Sequence, residues 1–101
     1  MAESVLLDRI ADRLRALCLR VAAGDDVPPT QLLRLEGLRE AAVMTGCADV
    51  PALQEQMDAC FREVLGEALS ERLGGDWQER HPFPEVPLFM GRAPVSPGTG
   101  D

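Results

Sequence analysis

The sequence predicts an all-α protein: a small antiparallel three-helix bundle with an extended, proline-rich C-terminal arm. Three observations carry this. Apolar residues recur at spacings of three and four through three successive stretches. Each stretch ends at glycine, and the second and third open on Asp-Val-Pro. Five of the eight prolines fall beyond Asp76, where a helix cannot continue. No stretch alternates apolar and polar residues as a half-buried strand would. We expect helices at about 4–23, 27–45 and 50–73 in a body spanning 1–75, followed by an arm at 76–101.

The first helix follows from Leu7, Ile10, Leu14, Leu17 and Val21, which share one face with Cys18 at about 100° per residue. Arg9, Arg13 and Arg20 fall on the opposite face. Gly24 is a suitable C-cap because it tolerates positive φ. Val5 and Leu19 lie on the polar side and are left without a core partner.

The second helix starts after Asp25-Asp26-Val27-Pro28-Pro29. Asp26 is the expected cap, and the prolines fit a first turn that needs no N–H donors. Leu32, Leu35, Leu38, Ala42 and Val43 form its stripe, with Leu33 and Met44 to one side. Gly46 ends it. The third helix opens on Asp49-Val50-Pro51, with Asp49 as cap. Leu53, Met57, Cys60, Phe61, Val64, Leu65 and Ala68 give it a broad apolar arc, and Gly74-Gly75 stops it. Three helices joined by short turns pack as antiparallel neighbours.

The arm divides in two. Asp76 to Arg80 suits a short helical turn. His81 to Met90 places Phe83, Val86, Leu88, Phe89 and Met90 among Pro82, Pro84 and Pro87. Proline pushes the residue before it toward extended geometry, so this segment reads as an extended or polyproline-like ribbon. Such a ribbon has little conformational entropy left to lose and suits docking into a groove. It lies either on its own body or on a partner, with those five apolar residues as the contacts. Gly91 to Asp101 is rich in Gly, Pro, Ser and Thr.

Composition removes several functions. The chain has 101 residues, so it holds one domain. Its 46% hydrophobic and 27% charged content is ordinary for a globular protein. Net charge is −7, which opposes binding to nucleic-acid phosphates and to anionic membranes. No apolar run approaches the roughly 20 residues of a membrane span. The N-terminus lacks the basic region of a signal peptide. The expected compartment is therefore the cytoplasm. All ten basic residues are Arg, and Lys, Asn and Tyr are absent. The simplest reading is a GC-rich bacterial genome.

No catalytic constellation stands out. Three scattered cysteines and the single His81 lack the paired spacing of a zinc site. Cys18 and Cys60 sit on apolar stripes and read as core thiols. Cys47 lies between two helices, just before the third, and is the one candidate for a reactive thiol. Glu63, Glu67 and Glu71 make an acidic strip, read as a solvated flank facing basic residues rather than a metal site. No phosphate-binding glycine loop is present. The turn between helices two and three loosely resembles a helix-turn-helix, but Asp49, Glu55 and Asp58 would face the DNA phosphates.

The expected function is a non-enzymatic interaction protein without cofactors: an adaptor, regulator or accessory subunit. It would bind a protein partner, or itself as a dimer, through apolar helix faces and the arm. The alternative is a ligand- or redox-responsive protein acting through Cys47, with Trp77 and His81 near a pocket.

Overall fold

The computed structural model describes residues 2–87, with side chains from Val5 onward. Five helices occur among them: α1 (Ala2–Ala22), α2 (Pro29–Met44), α3 (Val50–Leu65), α4 (Leu69–Leu73) and α5 (Trp77–Arg80). No strand occurs among the described residues. The three long helices form a small bundle in which α1 packs against both α2 and α3. Leu88, Phe89, Met90 and the chain from Gly91 onward lie outside the described residues.

The core follows the predicted stripes of α1, α2 and α3, except that Ala68 caps α4 outside it and Leu69, Trp77 and Val86 join it. Ile10, Leu14, Leu17 and Cys18 of α1 are buried with Leu35 and Ala42 of α2 and Leu53, Met57 and Phe61 of α3. Burying each large apolar side chain stabilises the fold by about 1.5–3 kcal/mol. The α1/α3 pair is antiparallel. Arg15 meets Glu63 at 3.2 Å, and Cys18, three residues on, meets Cys60, three residues back. By contrast, the α2 and α3 backbones make few close approaches to one another.

Two capping expectations part ways. Asp49 caps α3 as expected, accepting the Ala52 N–H at 3.0 Å. Asp26 does not cap α2. Pro28, in extended geometry at φ −61° and ψ 141°, is the N-cap residue, without a side-chain cap, and the helix opens at Pro29. The reason is the second proline, which disfavours helical geometry at the residue before it. The Asp26 carbonyl instead accepts from the Arg20 guanidinium at 2.7 and 3.1 Å.

The third helix is shorter than the predicted span of 50–73. It stops at Leu65, where Gly66 adopts left-handed geometry at φ +83°. A side chain there would be disfavoured by roughly 1–2 kcal/mol, which is why glycine marks the break. The chain restarts as α4, with the Ala68 N–H donating to Glu71 and the Leu69 N–H donating to Asp58 on α3, both at 2.7 Å. Those two carboxylates supply acceptors for a helix start that carries no capping side chain of its own. Leu69 and Trp77 are thereby turned into the core.

The ribbon also departs from a straight extended run. Pro82 to Glu85 form a tight turn, with the Glu85 N–H donating to the Pro82 carbonyl at 2.9 Å and a cis Phe83–Pro84 peptide bond. Proline excludes helix here, but it does not exclude a turn.

Candidate interaction site

The first part of the arm is an integral part of the body. Val86 and Pro87 are buried, and Phe83 is half-buried against the core. Two α2 side chains hold the segment. Glu36 accepts the Val86 N–H at 2.9 Å, fifty residues away in sequence. Arg39 lies under the Phe83 ring, its guanidinium carbon 5.2 Å from the ring centroid, a cation–π geometry. At the near end, His81 Nδ1 and Glu85 are 3.0 Å apart, and Arg80 contacts both Asp76 and the Leu73 carbonyl.

Arg39 joins three segments. Its guanidinium donates to the Leu53 carbonyl at 3.3 Å and to the Gln54 side-chain carbonyl, both on α3. Its side chain is fully buried, and that burial lowers its pKa from the ordinary arginine value to about 10, against the opposing effect of Glu36. It stays charged at neutral pH. The guanidinium therefore bridges α2 and α3, whose backbones make few close approaches, and the Phe83 ring lies over it. Sequence reasoning missed both Glu36 and Arg39. A signal was present for Arg39: it lies four residues after Leu35 and three before Ala42, on the core stripe itself.

With the segment seated, several apolar side chains stay in water. Val5, Leu19, Leu33 and Met44 are the large exposed ones, with Leu33 at 66% and Met44 at 80% exposure. Leu33, Gly37 and Met44 share the outward face of α2, at spacings of four and seven. The space beside Gly37 is open. A groove of about 380 Å³ borders this face, lined by Pro29, Leu32, Leu33, Glu36, Glu85 and Val86. A second, of about 480 Å³, lies between α1 and α2 and is lined by Val5, Leu6, Leu38, Arg9 and Arg13. A third, of about 570 Å³, runs beside the start of α3 and Trp77.

The other candidate residues are dispersed. Cys47 is half-buried, its Sγ 3.1 Å from the Thr45 hydroxyl. It does not line the groove that holds Trp77, and His81 is engaged with Glu85. Cys18 and Cys60 are brought together as neighbours across α1 and α3. Burial raises both pKa values, most strongly for Cys18, where the neighbouring Cys60 adds to it. Thiolate, the reactive form, is therefore suppressed at this pair. The acidic strip is consumed in local contacts. Glu63 pairs with Arg15, Glu67 with Arg72 at 3.1 Å, and Glu71 accepts the Ala68 N–H. Among the described residues no cluster of three His, Cys, Asp or Glu side chains is placed to hold a metal ion. None of their helices is long and apolar enough to cross a membrane.

Comparison with known proteins returned no matching family, no matching curated protein and no matching solved structure.

Proposed function

We propose that this is a non-enzymatic interaction protein that binds a protein partner, a second copy of itself included, through the outward face of α2. The observation that carries the reading is the pairing of Leu33 and Met44, exposed to water on one helical face with Gly37 between them. Apolar side chains aligned in this way form a surface that another helix or strand covers favourably. A glycine at the centre lets a second backbone approach closely.

The arm contributes in two ways. Its proximal residues Glu85 and Val86 line the groove beside Leu33. The next residues in the chain, Leu88, Phe89 and Met90, supply further apolar contact to the partner. Acting as an adaptor or accessory subunit needs nothing more than such a surface.

The test uses the full chain. A Leu33→Asp/Met44→Asp variant and a truncation after Pro87 are compared with the wild type by sedimentation and by binding to a partner isolated from the source cell. The reading predicts that the double variant melts like the wild type but loses self-association or the partner. Retention of both by the double variant contradicts it. A redox role through Cys47 has a different signature, alkylation faster than a model thiol at neutral pH.

A further inference from the structure

The groove between α1 and α2 has a chemistry that its neighbours lack. Its apolar lining comes from Val5 and Leu6 on one side and Leu38 on the other. The only charged residues lining it are Arg9 and Arg13, one helical turn apart on α1. In a chain with 17 acids and 10 arginines, two adjacent arginines would be expected to find acidic partners. These do not. Among the described residues neither Arg9 nor Arg13 has an ion pair or hydrogen bond, whereas Arg15, Arg62, Arg72 and Arg80 all pair with carboxylates. The neighbouring acids Asp8 and Asp12 do not line the groove.

A second observation points the same way. The Arg13 Nε is shielded from water yet has no acceptor. A guanidinium left without any acceptor is unfavourable, and a carboxylate is the group that best pairs with its remaining N–H donors. The groove therefore offers an apolar floor about two helical turns long, from Val5 to Arg13, edged by donors that await an anion.

We propose that this groove is a docking site for an acidic, apolar peptide segment of a protein partner: one apolar side chain seated on Leu6 and Leu38, with a carboxylate a turn away meeting Arg9 and Arg13. The site names a partner chemistry and rests on the interaction reading above, though on a different surface from Leu33 and Met44. An anionic lipid surface shares part of this chemistry. The overall charge of −7 opposes it, whereas a peptide seated in the groove meets Arg9 and Arg13 directly, with Asp8 and Asp12 outside the lining.

The test is fluorescence anisotropy of the full chain with a labelled helical peptide of Leu, Ala and Glu, against its Lys-for-Glu counterpart and against phosphatidylglycerol vesicles. The proposal predicts saturable binding of the Glu peptide only, with amide NMR shifts centred on Leu6, Arg13 and Leu38. It predicts a loss of about tenfold for Arg13→Gln and more for Arg9→Ser/Arg13→Gln. Circular dichroism melting confirms that both variants stay folded, and the exposed Arg9→Ser variant alone serves if Arg13→Gln unfolds. Equal binding of both peptides, shifts elsewhere on the surface, or binding to vesicles without binding to the Glu peptide overturns it. The outcomes separate from those of the wider reading. If Leu33→Asp/Met44→Asp abolishes partner binding while Arg9→Ser/Arg13→Gln does not, the groove is wrong and the interaction function stands.

Discussion

The two seams that flank α3 are built on opposite principles. Toward α1 the seam is apolar, with Ile10, Leu14, Leu17 and Cys18 against Met57, Cys60 and Phe61. Toward α2 it is polar at its centre, with Arg39 bonded to Leu53 and Gln54, covered by Phe83 and bordered by Glu36. An apolar seam stabilises in proportion to area and accepts substitutes of similar volume. A polar seam stabilises only when its donors and acceptors meet, and it fixes one arrangement when they do. The first seam sets how stable the body is. The second sets where the arm lies, and so which face of α2 is left open.

The comparison can be broken at its apolar side with the largest effect. Phe61→Ala removes a fully buried ring between α1 and α3 and should cost about 3–5 kcal/mol in urea unfolding followed by circular dichroism. A loss under about 1 kcal/mol would mean that the α1/α3 seam is not the main source of stability. Smaller, and different in kind, is Arg39→Ala. It leaves the buried Gln54 side chain without its donor and removes the extra bond to the Leu53 carbonyl, and should cost about 1–3 kcal/mol. Arg39→Met sharpens the contrast. The Arg39 Nε is already buried without a partner, and an apolar replacement of similar length often restores stability at such sites. Met should therefore recover most of what Ala loses, while both variants free the arm to limited proteolysis near Phe83. An arm equally protected in both would detach its position from Arg39.

The smallest effect is alkaline. The Cys18 thiol has an ordinary pKa of 9.0 in the unfolded chain and is held well above that when folded, as burial holds Cys60 above its own. Above about pH 9 the unfolded chain binds fewer protons than the native state, so stability falls as pH rises. Below that pH both states keep the proton and no slope arises from it. Arg39 acts with the opposite sign, since its folded value of about 10 lies under the ordinary arginine value, but only above about pH 10. A melting series up to about pH 10 should thus show a decline that Cys18→Ala/Cys60→Ala flattens. An unchanged slope in that variant would place the alkaline sensitivity elsewhere.

Much of the body was legible because periodicity reports burial directly. Leu14, Leu35 and Phe61 are core where the stripes place them. The break at Gly66 was not, because a glycine inside an apolar arc looks the same whether it continues a helix or ends one in left-handed geometry. What decides it is the capture of the Leu69 N–H by Asp58, eleven residues back. The arm was half legible. Its composition announced an apolar segment excluded from helix, and the structure seats Phe83 and Val86 on its own body. The seat itself was hidden, because Glu36 and Arg39 read as polar α2 residues until the arm is brought over them. The α1/α2 groove was hidden for the same reason. Arg9 and Arg13 appear as an ordinary solvated face, and only the folded arrangement shows that neither is ion-paired among the described residues.

The central claim is that the proximal arm belongs to the fold, fastened to α2 by Glu36 and Arg39. Hydrogen exchange of the Val86 amide tests it most directly, because that N–H has a single acceptor, the Glu36 carboxylate, and lies at the buried end of the segment. The account predicts strong protection in the wild type that collapses in Glu36→Ala while the α1 and α3 amides keep theirs. Exchange of Val86 at the rate of an unstructured peptide in the wild type would contradict it.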